Sequence, residues 1–350
     1  MQGKRIFVDF HHTSLLRSFV LLFEKRLGME VYRPIGMEWF YQGFWAINNL
    51  EETAKQFLDY HSQPLDKTPG LNDAVKKFRA ADGIYSVMDP GGESTHRACT
   101  IDFFKNNEFD FVIASIPAHV ELFKKLIEQY QPNAKLIVHV GNNWNLDMYA
   151  GLNVLASVAP QLTNANAHFY HQEFDTSIFY DTPVQPNKKV YSFLNVIREY
   201  PQAWADYSDL KRHLERRGWD FRSFGGQCPD GNMTGPHELA AKMREASFIL
   251  HVKPGGDGFG HVIHNAYAVG RPVITRPSHY RGQLAEQLLV PGTFVDLDRY
   301  GRTEVQNILK NLTNDPDSLA LMGRSAAEQF DRVVNYARDA EQVESWLHSL

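Results

Sequence analysis

The chain of 350 residues has few cysteines and no long hydrophobic run. Cys99 and Cys228 stand far apart in the sequence, so they indicate neither a disulfide framework nor a zinc site. The apolar stretch 15–22 is interrupted by Arg17 and Ser18, and it is too short to cross a bilayer. No signal peptide or transmembrane segment is predicted, and we expect a reducing, cytoplasmic setting.

A strong charge of one sign and the common hydrolase motifs are also missing. The 36 basic and 41 acidic residues leave a net charge of −5, which disfavours a dedicated nucleic-acid binder, although a local basic groove is compatible with that sum. The chain contains no G-x-S-x-G elbow, no C-x-x-C pair and no H-E-x-x-H helix, so hydrolase and metalloprotease interpretations have no support.

Short apolar runs alternate with helical patterns along most of the chain. Such alternation predicts parallel βαβ units, and 350 residues exceed what one core usually supports. We therefore expect an α/β fold of two Rossmann-like, doubly wound domains with a ligand cleft between them. The predicted strands are 5–10, 83–88, 109–115, 135–140, 154–158, 190–194, 219–224, 248–252 and 273–275, and 30–33 is predicted to be extended. The predicted helices between them are 13–27, 118–130, 205–217, 237–246 and 261–269.

The most informative segment is 247–275, SFILHVKPGGDGFGHVIHNAYAVGRPVIT. It predicts a strand, a glycine-rich turn, a helix over 261–269 that ends at Gly270, and a second strand. Glycine lets backbone N–H groups come close to a ligand, and the helix directs the positive end of its dipole at the turn. The turn therefore fits a phosphate or diphosphate, with a ligand-free βαβ connection as the alternative.

Three segments resemble GT-B glycosyltransferases, above all the group of nucleotide-sugar transferases often called family 4. In 238–275, the run 257–260 stands at the family's E-G-F-G; 307–330 resembles its L-L-x-D-P…M-G helix pair, and 174–179 its loop before the second domain. The resemblance implies a GT-B fold with an acceptor domain over 1–180, a donor domain over 181–330, and a final helix, 331–350, that crosses back to the first domain. Two Rossmann-like domains would face a central cleft.

The resemblance also implies a hexosyltransferase-like enzyme that takes a sugar from a nucleotide-diphosphate sugar, such as a UDP-sugar, and needs no metal. Two departures stand out: the family's second glutamate is Asn265 here, and its arginine and lysine clamp after the second domain's first strand is missing. Arg198 is the nearest replacement, and Lys253 is another possible cation. The implied donor-binding residues are Arg198, Lys253, Gly256, Asp257, Gly258, Phe259, Gly260, His261 and Asn265.

Polar residues follow two predicted strands of the first half. His11 and His12 come directly after the first strand, where histidine suits removal of a proton from an acceptor hydroxyl, with Asp110 or Asp89 as its orienting partner. Some inverting GT-B enzymes resemble this arrangement; a helix cap or acceptor contact is the alternative, and a retaining mechanism needs no such base. A second loop after a strand predicts acceptor contacts through Asn142, Asn143 and Trp144.

Three other possibilities remain open at this point. His251, His261, His264 and His279 could form a zinc site, although phosphate or sugar contact suits them better and no metal is expected. The acceptor could be a carbohydrate, a small molecule or a modified base in viral DNA. The missing glutamate and clamp also fit a non-catalytic scaffold that binds nucleotide sugars.

Overall fold

Two compact units make up the chain. The computed structural model describes residues 1–9, 13–34, 77–79, 84–88, 95–99, 101–115, 119–141, 146–158, 162, 165–195, 197–253 and 258–350. The first unit comprises Met1–Ser157, Gln161–Phe174 and Tyr336–Leu350, and the second comprises Val158–Pro160 and Asp175–Asn335. No helix among the described residues is long and apolar enough to span a membrane.

A nine-stranded sheet, counted over the described residues, forms the first unit. Its spatial order is β3-β4-β5-β2-β1-β6-β7-β8-β9. Every neighbouring pair from β5 to β9 is parallel, whereas the pairs β3–β4 and β4–β5 are antiparallel. From β5 outward this is the Rossmann order, and it changes direction between β1 and β6. The strands are β1 (Arg5–Val8), β2 (Glu30–Pro34), β3 (Lys77–Arg79), β4 (Ile84–Met88), β5 (Thr95–Cys99), β6 (Phe111–Ala114), β7 (Lys135–Val140), β8 (Asn153–Ala156) and β9 (Asn166–Phe169).

The central strands of this sheet are apolar because both of their faces are covered. Ile6, Val8, Val112 and Ile113 are fully buried, as expected for parallel strands with helical crossovers. The crossover after β1 begins as α1 (Thr13–Phe19) and continues as a π-helix over Val20–Arg26, which together match the helix predicted over 13–27. Two further helices are α2 (Ile101–Asn106) and α3 (Val120–Tyr130).

The second unit contains a five-stranded parallel sheet in the order β11-β10-β12-β13-β14. This is the flavodoxin-like order, which changes direction between β10 and β12. Its strands are β10 (Lys189–Ser192), β11 (Asp220–Ser223), β12 (Phe248–Leu250), β13 (Val273–Thr275) and β14 (Phe294–Asp296). Its helices are α4 (Pro201–Glu215), α5 (Pro236–Glu245), α6 (His261–Ala268), α7 (Arg302–Asn314) and α8 (Pro316–Val333).

The last helix, α9 (Tyr336–His348), groups with the first unit although the chain reaches it from the second. Asp339 accepts hydrogen bonds from the backbone N–H and the Nδ1 of His171 at 2.9 and 2.8 Å. The N-terminal ammonium binds Glu344 at 2.8 Å. These contacts tie the end of the chain to its first 174 residues.

Candidate functional site

The candidate donor site lies where the second sheet changes direction. Strands β10 and β12 are neighbours, yet the chain continues from β10 to β11 on the opposite side. Open parallel sheets bind ligands at such a point, beyond the carboxyl ends of the strands. The loops that leave β10 and β12 are 193–200 and 251–260, and these loops, with α6, contain all the donor-binding residues predicted from the sequence.

The glycine turn after β12 comes very close to a neighbouring segment. Gly258 and Gly260 both have left-handed backbones, with φ of 56° and 77°, and a Cβ on Gly260 would lie 2.9 Å from the Cβ of Ala285. Gly256 and Asp257 lie outside the described residues. Gly260 is the N-cap of α6 and has no side chain to cap it, while Ile263 N donates to Gly260 O at 3.0 Å; a helix start of this kind suits an anion.

The side chains around α6 divide into packed and ligand-compatible groups. Phe259 is buried and stacks on the His264 ring at 4.0 Å, so only its backbone can serve a ligand. The Nδ1 of His264 donates to Gly260 O at 3.0 Å, which fixes the turn. His261 is half-buried and meets Phe259 edge-on at 4.9 Å.

Asn265 is the buried polar residue that fits a ligand best. It is 7% exposed, and its Oδ1 accepts no hydrogen bond from any residue that the structure describes. Leaving a buried amide oxygen unpaired costs about 1–3 kcal/mol, so a donor from a ligand would stabilise it. A ribose hydroxyl is such a donor, as the resemblance implies for this position.

Each of the two loops of this site carries a cationic side chain that lies over an aromatic ring. The Nζ of Lys253, just after β12, lies 5.5 Å from the centroid of Tyr200. The guanidinium of Arg198, after β10, lies 5.2 Å from the centroid of Trp204. Helix α4 begins directly after Tyr200 and also has no side-chain cap. Two cations and two helix N-termini therefore make this point of the sheet electropositive, although Glu199 is acidic.

The loop after β11 is fastened to the loop after β10, which the sequence did not indicate. Gly226 N donates to Asn195 Oδ1 at 2.9 Å, and the Cys228 thiol donates to Leu194 O at 3.1 Å. Gly225, at φ 132°, is needed because a Cβ there would overlap the Asn195 side chain. The pair Gly225-Gly226 directly after a predicted strand was the signal that could have indicated this approach.

A buried histidine–aspartate pair marks the corresponding point of the first sheet. Asp9 follows β1, and its Oδ2 accepts from His119 Nδ1 at 2.5 Å and from Ser115 N at 3.3 Å, both of which follow β6. Asp9 and His119 are fully buried. The pair therefore joins the end of β1 to the segment that follows β6.

Asp110, one of the two orienting partners that the sequence left open, lies at the opposite edge of the sheet from the end of β1. Asp110 precedes β6 and lies beside the start of β1, where it accepts from Arg5 N at 2.9 Å and pairs with Lys4 at 3.2 Å. In parallel strands the residues before β6 and after β1 lie at opposite edges of the sheet. His11, His12 and Asp89 lie outside the described residues.

The acceptor loop predicted at Asn142, Asn143 and Trp144 also lies outside the described residues. Its first described neighbour, Gly141, lies near the buried ring of His139, whose Nε2 contacts the Tyr170 hydroxyl at 3.1 Å. Within the described ranges, no three histidine, cysteine, aspartate or glutamate side chains come together as a metal site.

Comparison with solved structures confirms the predicted fold class. Anabaena HepE in complex with UDP and glucose matches with a TM-score of 0.60 and 12% identity over 100% of both chains. Sucrose-phosphate synthase from Thermosynechococcus elongatus matches at 0.63 and 9% over 99% of both. An alpha-glucosyltransferase, solved with UDP-glucose and DNA containing an abasic site, matches at 0.59 and 9% over 99% of this chain and 100% of its own. No family model and no curated protein sequence matches the chain. The fold is that of GT-B glycosyltransferases.

Proposed function

We propose that this protein is a hexosyltransferase-like glycosyltransferase, which moves a sugar from a nucleotide-diphosphate sugar to an acceptor hydroxyl. One observation carries the proposal: Lys253 and Arg198 flank the point where the second sheet changes direction, beside the uncapped starts of α4 and α6. Such a surface suits a diphosphate. The fold supports this function, because structural neighbours were solved with UDP or UDP-glucose.

The donor is held by groups that act on its separate parts. Lys253, Arg198 and the backbone N–H groups of 256–260 bind the diphosphate, and Asn265 accepts from a ribose hydroxyl. Asp257 contacts the sugar hydroxyls. Catalysis comes mainly from stabilising the charge that develops on the departing diphosphate while the acceptor is held against the anomeric carbon. Since the chain supplies the cations, we expect activity to persist in EDTA.

The first unit binds the acceptor in this proposal. His12 or His11 is the proton acceptor for the attacking hydroxyl, and the buried Asp9–His119 pair, whose aspartate is beside them in the sequence, holds the end of β1 in place. Asn142, Asn143 and Trp144 contribute hydrogen bonds and a stacking surface for the acceptor. A retaining reaction would leave these histidines as binding groups only.

We place the enzyme in the cytoplasm, because Cys99 and Cys228 are both free thiols. A modified DNA base is the second acceptor class to test, because one structural neighbour was solved with DNA. Transfer to DNA would be accompanied by binding that weakens steeply with salt. An enzyme that transfers sugar to a carbohydrate or small molecule but not to DNA with hydroxylated bases at low salt would exclude it.

Lys253→Ala tests the proposed donor site. Loss of a charged hydrogen-bond partner costs about 1–3 kcal/mol, so UDP or GDP affinity should fall by roughly 5- to 150-fold. Lys242→Ala removes a half-buried lysine that pairs with Glu245; it is the matched control and should leave nucleotide affinity unchanged. Affinity is measured by calorimetry, and turnover by release of the nucleotide from UDP-, GDP- and ADP-sugars.

Three outcomes separate the functions. Transfer or hydrolysis of a sugar nucleotide that is lost with Lys253→Ala supports the enzyme. Binding without turnover, across the donors and a panel of acceptors, would identify a non-catalytic scaffold. Unchanged nucleotide affinity in Lys253→Ala would remove Lys253 from the site.

A further inference from the structure

The first turn of α4 carries two aromatic rings at the site, and each ring lies beneath a cation from a different loop. Tyr200 is the N-cap of α4, and Trp204 follows one helical turn later, where Trp204 N donates to Tyr200 O at 2.8 Å. Lys253 lies over the first ring and Arg198 over the second. Residues four apart in a helix occupy the same face. The two rings on this face therefore contact both cations.

Tyr200 occupies the N-cap position of α4 without capping the helix through its side chain. Helices prefer Ser, Thr, Asp or Asn there, because their side-chain oxygen accepts from the first N–H groups, which contributes about 1 kcal/mol. Tyr200 makes no such cap bond, and α4 begins with Pro201 at its first position. The helix therefore lacks a side-chain cap at the position where the ring meets Lys253.

The Trp204 ring packs against aromatic residues of the second unit's core. Its ring stacks on Tyr207 at 5.4 Å, and Tyr207 contacts Phe221 of β11 at 5.3 Å. Tyr207 and Phe221 are each 1% exposed. The ring beneath Arg198 is thus fixed by buried neighbours, whereas Arg198 itself is exposed.

A ring beneath a cation restrains it without using its hydrogen-bond donors. Lysine and arginine side chains each carry about 2 kcal/mol of rotamer entropy, which ordering them on a ligand would cost. A cation–π contact contributes about 0.5–1 kcal/mol at an exposed site and does not itself occupy an N–H donor. Restraining a binding group beforehand lowers the entropic cost of binding.

We propose that Tyr200 and Trp204 are positioning residues, which hold Lys253 and Arg198 in place for the diphosphate of the donor. This inference rests on the proposed function. It explains how this chain binds a diphosphate with one cation from each of two loops, since the usual arginine–lysine clamp after β10 is missing. The rings themselves do not contact the phosphates.

The test compares Tyr200→Leu with Tyr200→Phe, using UDP and uridine as probes in calorimetry. GDP with guanosine, or ADP with adenosine, replaces them if the wild type prefers that nucleotide. Tyr200→Leu removes the ring and should weaken UDP binding by about 2- to 5-fold, which is 0.5–1 kcal/mol converted at 1.4 kcal/mol per tenfold. Uridine binding should not change, because uridine has no phosphate. Tyr200→Phe keeps the ring and should bind UDP like the wild type.

A double-mutant cycle with Lys253→Ala decides whether the ring acts through the lysine. In the Lys253→Ala background, Tyr200→Leu should have no further effect on UDP affinity. The same cycle pairs Trp204→Phe and Trp204→Leu with Arg198→Ala; the phenylalanine variant keeps a ring against Tyr207 in case the leucine variant fails to fold.

The possible results are distinct. If Lys253→Ala weakens UDP binding but Tyr200→Leu does not, or if the two effects simply add, the positioning role is overturned and the proposed function stands. Equal losses for UDP and uridine would also overturn it, because they would indicate a general change in the site. If the wild type binds no nucleotide, the proposed function fails and this inference fails with it.

Discussion

Replacement of Arg271 by methionine tests which interactions stabilise the elements beside the candidate donor site. Arg271 is 1% exposed, and its guanidinium donates to five carbonyl groups and one hydroxyl at 2.7–3.3 Å. These acceptors lie on the segment before β10, at the end of α5 and at the end of α6, on Thr182, Arg244, Ala246, Val269 and Gly270. One side chain thus joins three segments around the helix that carries Asn265.

The cost of burying the Arg271 charge and the hydrogen bonds of its guanidinium have opposite effects on the free energy of unfolding. Burial lowers the pKa of Arg271 to about 10. At about 1.4 kcal/mol per pH unit, keeping the charge inside therefore costs about 3 kcal/mol, which methionine would recover. Methionine would leave five buried carbonyl groups without this donor, at about 1–3 kcal/mol each, and some would find other partners. We expect a net loss of about 2–5 kcal/mol in the free energy of unfolding of the second unit.

Urea unfolding, combined with hydrogen exchange of the β12 and β13 amides, measures this loss in the unit concerned, because a chain of two units need not unfold in one step. Arg222→Met is the control: Arg222 is exposed and has a single ion pair, with Asp220, so its loss should cost less than about 1 kcal/mol. An Arg271→Met protein as stable as the wild type would refute the reasoning. The buried charge would then cost as much as its hydrogen bonds contribute.

Two further predictions concern the glycine turn and pH. Gly260→Ala and Gly292→Ala both put a Cβ at positive φ, which costs about 1–2 kcal/mol, but only the first meets a neighbour, Ala285. Urea unfolding should show a larger loss for Gly260→Ala, which should also weaken UDP binding; equal losses would mean that the turn can shift. Burial lowers the pKa of His279, so the unfolded chain takes up a proton more readily as the pH falls below about 6.5. Stability should decline from pH 7.5 to 5.5 more in the wild type than in His279→Gln, and parallel declines would contradict this.

The elements that the sequence predicted well are those with a local signal. Strands β10, β11, β12 and β13 and the helix α6 between the last two follow from apolar runs punctuated by glycine and proline, whereas β14 was not predicted. Strand β9 was not predicted, because its residues, Asn-Ala-His-Phe, alternate weakly at the edge of the sheet. The π-helical geometry of 20–26 has no sequence signal that distinguishes it from an α-helix.

The candidate residues likewise divide into those that local sequence pattern groups together and those that only the fold brings together. The glycine turn, Lys253 and Asn265 are close in sequence, so local pattern sufficed to group them. Asp9 and His119 meet only because β1 pairs with β6 rather than with another strand, and residue spacing does not encode that neighbour. For the same reason the sequence left Asp110 and Asp89 both open as orienting residues, because the distance of Asp110 from the sheet's carboxyl edge depends on strand direction.

The two departures from the glycosyltransferase pattern have linked electrostatic consequences. A glutamate at position 265 would add a negative charge on the second turn of α6, close to the N-terminus that would face the diphosphate. With Asn265 the charge near this helix end stays positive. The amide oxygen can still accept a hydrogen bond from a ribose hydroxyl, but without the charge-assisted strength of a carboxylate. Binding energy would therefore shift from the ribose towards the phosphates. A cation on the β12 loop, Lys253, would act in the same direction, because it would add positive charge where the proposed leaving group forms.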